Sequence, residues 1–228
     1  MSKARSEFKR NAHKLGFGAA FAALATCVAL TLSRPAGAQT ETAPPPTSVE
    51  YLQYGVSLHT LTLLDAGDVC PGDQSKCILG SGGGLGLRMG YRSRGPLYFG
   101  ATWQLSRLNS SNLLRLALLQ RLTVDGRFYL DRGNRLTPYL LAGLGGAMYG
   151  NEFSASTAGI ALSLGFGLEY QISERTVVTL LPAYQPVLFR RFRDALDRTL
   201  ADGPLGFGLA HWLAVQVVIE ARDPLERW

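Results

Sequence analysis

The chain has 228 residues and a formal net charge of +6, but residues 1–38 alone hold six Lys/Arg and one Glu. Those residues have the layout of a secretory leader, and without them 17 basic and 16 acidic residues remain, a net of +1. That balance excludes a basic-surface argument for nucleic-acid binding.

The leader reading rests on Lys3, Arg5, Lys9, Arg10 and Lys14, then a charge-free run from Leu15 to Leu32, then Ala36-Gly37-Ala38 before Gln39. It predicts a signal peptide over 1–38, cleaved after Ala38. A lipoprotein signal at Leu24-Ala25-Thr26-Cys27 is the rival; Thr before Cys disfavours it, and apolar residues continue past it. Residues 39–50 form a Pro-rich tether with nothing to pack.

From Tyr51 the pattern is period two. Leu52, Tyr54, Val56 and Leu58 alternate with Gln53, Gly55, Ser57 and His59, which predicts a first strand. Cys70 and Cys77 follow, bracketing a Pro-Gly-Asp turn. In an exported chain this spacing favours a disulfide, with a loop-closure contribution of about 2–3 kcal/mol. Free thiols are the alternative, and two thiolates without neighbouring ligands cannot complete a zinc shell.

The second strand sets Leu85, Leu87, Met89 and Tyr91 against Gly84, Gly86, Arg88 and Gly90, and Arg92 to Pro96 makes a turn. The third sets Leu97, Phe99, Ala101, Trp103 and Leu105 against Tyr98, Gly100, Thr102, Gln104 and Ser106. The fourth, beginning at Leu113, tempts a helix assignment. Only period two separates Leu114, Leu116, Leu118, Leu122, Val124 and Phe128 from Arg115, Arg121, Asp125 and Arg127. A one-residue slip would place arginines in lipid at about 2–4 kcal/mol each near the midplane, which fixes the register.

After the turn Asp131 to Asn134, the fifth strand carries Leu140, Ala142, Leu144 and Met148 opposite Tyr139, Gly143 and Gly145. The sixth, Thr157 to Gln171, alternates without a break: Ala158, Ile160, Leu162, Leu164, Phe166, Leu168 and Tyr170 against small or polar residues. Its length matches the roughly 9–11 tilted residues that cross a bilayer. The seventh alternates less well and contains Pro182 and Pro186. The eighth sets Phe207, Leu209, Leu213, Val215, Val217 and Ile219 against Gly206, Gly208, Ala210, Trp212, Gln216 and Glu220, with His211 violating the apolar face. Residues 221–228 read as a polar tail that hangs free.

Eight strands with mostly short connections predict an all-β fold: an eight-stranded antiparallel up-and-down transmembrane β-barrel over 51–220, closed so that lipid meets no unpaired edge. The non-apolar face is mainly Gly, Ala, Ser and Thr, which suits a narrow, filled interior. The only lysine after the leader, Lys76, lies in a loop. Arg88, Arg115, Arg121, Asp125, Arg127, Glu169 and Glu220 fall in the inward register and are expected to form a buried ion-pair network. The alternative is a set of solvated surface charges.

The PYLLAGLGGAMYG stretch after a tight turn, the GFGLEYQ strand end and the exported single barrel resemble the small eight-stranded outer-membrane proteins of Gram-negative bacteria, the outer membrane protein A-like and opacity-like group. The resemblance covers Tyr51 to Glu220 and implies an integral outer-membrane location, lipopolysaccharide and outer-membrane lipids as surroundings, and insertion by the barrel-assembly machinery. The chain departs from that group in carrying no peptidoglycan-binding domain and in ending at Trp228 after a polar tail. Recognition by the assembly machinery is therefore expected through the Val215, Val217, Ile219 face or Trp228.

For chemistry, barrel hydrolases need a Ser–His pair with a third polar group. His59 and His211 remain after the leader, and neither stands in a His-x-Ser arrangement. The expectation is no catalysis, no metal and no cofactor, and eight strands leave no wide pore. The long loop Phe189 to Pro204 has Phe189, Phe192, Leu196 and Leu200 near helical spacing, with Arg190, Arg191, Arg193 and Arg198 around them. These arginines are the candidates for lipopolysaccharide phosphates or an extracellular partner of unknown identity; the bland alternative is a solvated amphipathic lid. The reading is thus a structural or surface-interaction barrel. Its alternatives are a soluble or lipid-anchored periplasmic lipocalin-like barrel binding an apolar ligand, and a lipid A-modifying enzyme, for which His211 near the outer rim is the candidate.

Overall fold

Period-two sequences can satisfy their backbone groups only by pairing laterally, and a sheet of such strands removes its edges by closing on itself. The computed structural model describes residues 49–70, 77–111, 114–151, 153–193, 199–201, 203 and 206–225. The expected signal peptide, most of the tether, and Lys76 and Arg198 lie outside them.

The barrel strands are β1 (Tyr51–Asp65), β2 (Gly82–Arg92), β3 (Leu97–Leu108), β4 (Ala117–Tyr129), β5 (Leu136–Gly150), β6 (Ala155–Ser173) and β7 (Thr176–Arg190). Two short strands, β8 (Phe192–Arg193) and β9 (Thr199–Leu200), pair with each other before the last barrel strand, β10 (Phe207–Pro224). The wall closes antiparallel in the order β1-β10-β7-β6-β5-β4-β3-β2. This is the eight-stranded antiparallel barrel that the alternation predicts.

The short connections 93–96, 130–135 and 174–175 share one end of the barrel with Glu50 and Leu225. The described residues of the connections 66–81, 109–116, 151–154 and 191–206 lie at the other, here called the loop end.

The apolar face points outward on every strand. On β6, Ile160, Leu162, Leu164, Phe166, Leu168 and Tyr170 are exposed, while Ala161, Ser163 and Glu169 are buried. From Ile160 to Tyr170, at about 3.3 Å per residue and a tilt of roughly 40°, the apolar span is about 25 Å, the height of the lipid-facing band of such barrels. Tyr54, Tyr91, Phe128 and Tyr170 mark its lower rim near the turns, where amphipathic rings suit a membrane–water boundary. Tyr54 donates its hydroxyl to Asp223 at 2.9 Å there.

The prolines of β7 are accommodated asymmetrically. Toward β10 the register runs unbroken through Pro186↔His211 and Pro182↔Val215. Toward β6 the pairs beside each proline are missing from the register, because proline has no N–H to donate. The carbonyl of Leu162, level with Pro186 where the register is interrupted, accepts instead from Arg121 Nη2 at 3.1 Å.

Two boundaries differ from expectation. The β3–β4 ladder ends at Leu108↔Ala117, so β4 starts at Ala117 and not at Leu113. The Ser110 hydroxyl accepts from the Leu114 amide and donates to the Leu114 carbonyl, both at 3.1 Å, closing a compact turn that leaves Arg115 exposed. At the other extreme, β10 continues through Pro224, paired with Tyr51, so the start of the expected free tail belongs to the wall.

Candidate functional site

The interior changes character along the barrel axis. Next to the turns it is aromatic and charged. Glu220 accepts from Arg127 Nη1 at 2.9 Å, Arg127 Nη2 at 2.5 Å and Gln53 Nε2 at 2.8 Å. Glu169 accepts from Arg92 at 3.1 Å, Tyr129 hydroxyl at 3.1 Å, Gln53 at 3.2 Å and Arg222, with Arg127 at 3.9 Å. The guanidinium of Arg127 lies 4.2 Å from the Tyr98 ring centre, and that of Arg92 lies 3.9 Å from Tyr129. Paired charges, hydrogen bonds and ring faces together compensate the loss of water that burial imposes.

Higher in the lumen the contacts become neutral. Arg88 donates to Thr102 Oγ1 at 3.0 Å and to Gln216 Oε1 at 3.5 Å. Asp125 accepts from the Thr123 hydroxyl at 2.9 Å and from the Thr102 hydroxyl. Arg121 reaches Gln185, the Leu162 carbonyl at 3.1 Å and Ser163 at 3.0 Å.

Six of the seven residues expected in the inward register, Arg88, Arg121, Asp125, Arg127, Glu169 and Glu220, are buried in the lumen. Arg115 is not among them, since it precedes β4 in an exposed loop. Two arginines were missed. The sequence places Arg92 in a turn and Arg222 in a free tail, yet both are buried on Glu169. Extending the even-numbered inward parity of β2 and β10 by one further residue pair would have found them.

The loop end of the lumen is apolar and stoppered. Val69, Ile78 and Leu79 of the first loop pack on Leu61, Leu108, Leu119, Tyr149, Phe189 and Trp212. Tyr149 donates its hydroxyl to the Ile78 carbonyl at 2.6 Å, and Trp212 Nε1 donates to the Gly80 carbonyl at 3.2 Å. The Cys70–Cys77 disulfide, Cα atoms 5.3 Å apart, ties the same loop and packs on the cluster.

Among its described residues the last long loop pairs Phe192–Arg193 with Thr199–Leu200 as two short strands, so Phe192 and Leu200 are cross-strand partners buried over the mouth and not successive turns of a helix; Leu196 lies outside the described residues. Arg193 and Thr199 are thereby left exposed. Arg190 ends β7 and is exposed with Arg191; these two, Gly206 and Phe207 line an open groove of 740 Å³. Arg198 falls outside the described residues.

Both histidines among the described residues have local partners. His59 Nε2 lies 2.7 Å from Ser106 Oγ inside the lumen. This is a Ser–His pair that spacing did not reveal, formed by β1 and β3 over Gly84 of the intervening β2. Among the described residues no carboxylate is hydrogen-bonded to it, and His59 is only 5% exposed. His211 sits on the outward face, where it hydrogen-bonds the Tyr184 hydroxyl and stacks on that ring with centroids 5.8 Å apart. Among the described residues no group of His, Cys, Asp and Glu is arranged to hold a metal.

Searched against family models and against curated proteins, the chain gives no match. Solved structures do match. The outer membrane protein OprG from Pseudomonas aeruginosa is 10% identical with a TM-score of 0.52, covering 80% of this chain and 98% of that one. Neisserial surface protein A is 17% identical with a TM-score of 0.45, covering 75% and 96%. The fold is thus that of the small eight-stranded outer-membrane barrels.

Proposed function

We propose that this chain is an integral outer-membrane protein, a stoppered, lipid-embedded barrel that presents a surface for interaction and performs no catalysis. The observation that carries the reading is the inversion of the wall: a continuous apolar band outside, and a charged, hydrogen-bonded core inside. A soluble barrel that binds an apolar ligand needs the reverse arrangement. The fold shared with OprG supports the same setting, and the leader over residues 1–38 supplies the route to it. Insertion would use the barrel-assembly machinery, with the Val215, Val217, Ile219 face as its recognition element.

The working surface is the loop end. Arg190 and Arg191 flank an aromatic residue, Phe207, in the groove at the top of β7 and β10, and Arg193 is exposed on the neighbouring hairpin. A guanidinium beside an apolar ring at the upper edge of a lipid-facing wall suits an anionic amphiphile, whose phosphates take charge-assisted bonds while its chains lie against the band below. Lipopolysaccharide has that chemistry. Replacing Arg190, Arg191, Arg193 and Arg198 together by alanine is expected to reduce lipopolysaccharide retained on the purified barrel and to sensitise cells to detergent. Unchanged retention and resistance in a folded variant would remove this role.

A further inference from the structure

The outward face of the wall is apolar, but it is not smooth. The register sets Phe99, Gly126, Ala142 and Leu164 in one lateral row across β3 to β6, so the two smallest side chains stand side by side between two large ones. Two residues nearer the turns, Phe128 and Leu140 are paired and both are exposed. The result is a recess of 470 Å³ over Gly126 and Ala142, walled by Phe99, Phe128, Leu140 and Leu164. That volume lies within the range of about 300–1,000 Å³ typical of ligand pockets.

Nothing in the wall itself requires the recess. Glycine weakens a strand and is retained where a bulge, a bend or a close approach needs it. Gly126 has no positive φ, and a Cβ built on it would meet nothing nearer than 3.9 Å. The ladder runs past it on both sides without a register shift. A Cβ on Gly84 or Gly145, by contrast, would strike the neighbouring backbone. The space at Gly126 therefore serves whatever lies against the outside of the wall.

Two features identify the occupant. A second copy docked about a two-fold axis through this face would set recess against recess and leave both empty, since such an interface must be self-complementary. Below the recess, the turns 93–96 and 130–135, which join β2 to β3 and β4 to β5, expose Arg94, Arg132 and Arg135. Arg132 Nη1 donates to the Arg94 carbonyl at 2.5 Å and ties the two turns together. The Asp131 carboxylate is held by its own turn, through the Arg132 amide at 2.7 Å and Asn134 Nδ2 at 2.6 Å, and Glu50 lies 3.4 Å from Arg94 Nε. The strand from Gly126 down to Leu130 spans about 10 Å of height at the tilt of such barrels, which separates a phosphate from the upper methylenes of its acyl chain.

We propose that the recess seats one acyl chain of a phospholipid of the periplasmic leaflet, whose phosphate lies at Arg132 and Arg135. The inference rests on the outer-membrane setting proposed above, in which the turn end faces the periplasm. The seat is at the opposite end of the wall from the groove at Arg190 and takes a lipid of the other leaflet.

The test is native mass spectrometry of the full barrel, extracted in detergent and titrated with phosphatidylglycerol. The native barrel is expected to retain one lipid at activation energies that strip the detergent. Gly126→Leu with Ala142→Leu fills the recess and is expected to raise the half-saturating lipid about tenfold, as excluding about two methylenes requires. Arg132→Gln with Arg135→Gln should raise it about threefold, the scale of exposed charge pairs. Gly146→Leu is the control. It adds the same bulk to the outward face outside the recess, at a glycine whose Cβ would also meet nothing nearer than 3.9 Å, and should change nothing. Crystals grown with a phospholipid brominated on its chains need no variant, and bromine peaks over Gly126 are expected. No retained lipid on the native barrel, equal affinity in the folded filled variant, a loss as large in Gly146→Leu, or a dimer of the chain in place of the lipid adduct would each overturn the proposal. A barrel recovered from the outer membrane that shifts on boiling yet retains no lipid overturns the seat alone; a soluble product overturns the setting as well.

Discussion

Glu220→Gln isolates the contact on which the charged half of the lumen turns. The Glu220 carboxylate is fully buried, accepts two hydrogen bonds from Arg127 and a third from Gln53, and leaves Arg127 equally buried if its charge is removed. Breaking a buried pair in this way costs about 3–5 kcal/mol. Arg127 keeps Glu169 at 3.9 Å and the rings of Tyr98 and Tyr139 at 4.2 and 5.2 Å, which place the expected loss near the lower bound. The expectation is therefore about 3 kcal/mol, with a coupling of roughly 2 kcal/mol to Arg127→Met in a double-mutant cycle. The assay is reversible urea unfolding in lipid vesicles followed by tryptophan fluorescence, since Trp212 lies inside the lumen and Trp103 outside. A loss under about 0.5 kcal/mol, or additive single and double variants, would refute the account of the lumen as an ion-paired core.

Other outcomes follow from the same structure. Cys70→Ser with Cys77→Ser removes closure of a short loop and should cost about 2.5 kcal/mol on a chain-entropy estimate, read as a lower unfolding midpoint and as new protease cleavage between the two positions. Gly167→Ala drives a Cβ into the Tyr139 ring, so unfolding should show a loss of about 1–3 kcal/mol that Tyr139→Ala largely suppresses. Leu164→Arg, at the middle of the outward face of β6, should cost about 2–4 kcal/mol in lipid vesicles. In detergent, where the side chain reaches water more readily, the loss should be smaller.

How far the sequence discloses this molecule depends on the range of the interaction concerned. Strand positions and faces were legible because alternation is local: Leu164 points to lipid and Ser163 inward for reasons contained in their own strand. Parity also carried the buried positions of Arg88, Arg121 and Glu169. It misled at Arg115, where the ladder had ended and the Ser110–Leu114 turn took over. It stopped short at Arg92 and Arg222, where polar composition resembled a turn and a tail. What closes the mouth was not legible at all. Ile78 and Gly80 meet Tyr149 and Trp212 only after the barrel has brought β5 and β10 beneath the first loop, and Ser106 meets His59 across 47 residues of chain. The helical spacing of Phe192 and Leu200 was real, but burial over the lumen is served equally by a two-strand hairpin.

The central claim is that the wall faces lipid and the core holds the charges. Its most direct test is gel mobility of the protein from membrane fractions, unheated against boiled in SDS, with fractionation followed in parallel. The account predicts recovery in the outer-membrane fraction and a mobility that changes on boiling, since a closed, hydrogen-bonded barrel resists the detergent until heat unfolds it. A soluble periplasmic product whose mobility is indifferent to heat would contradict it.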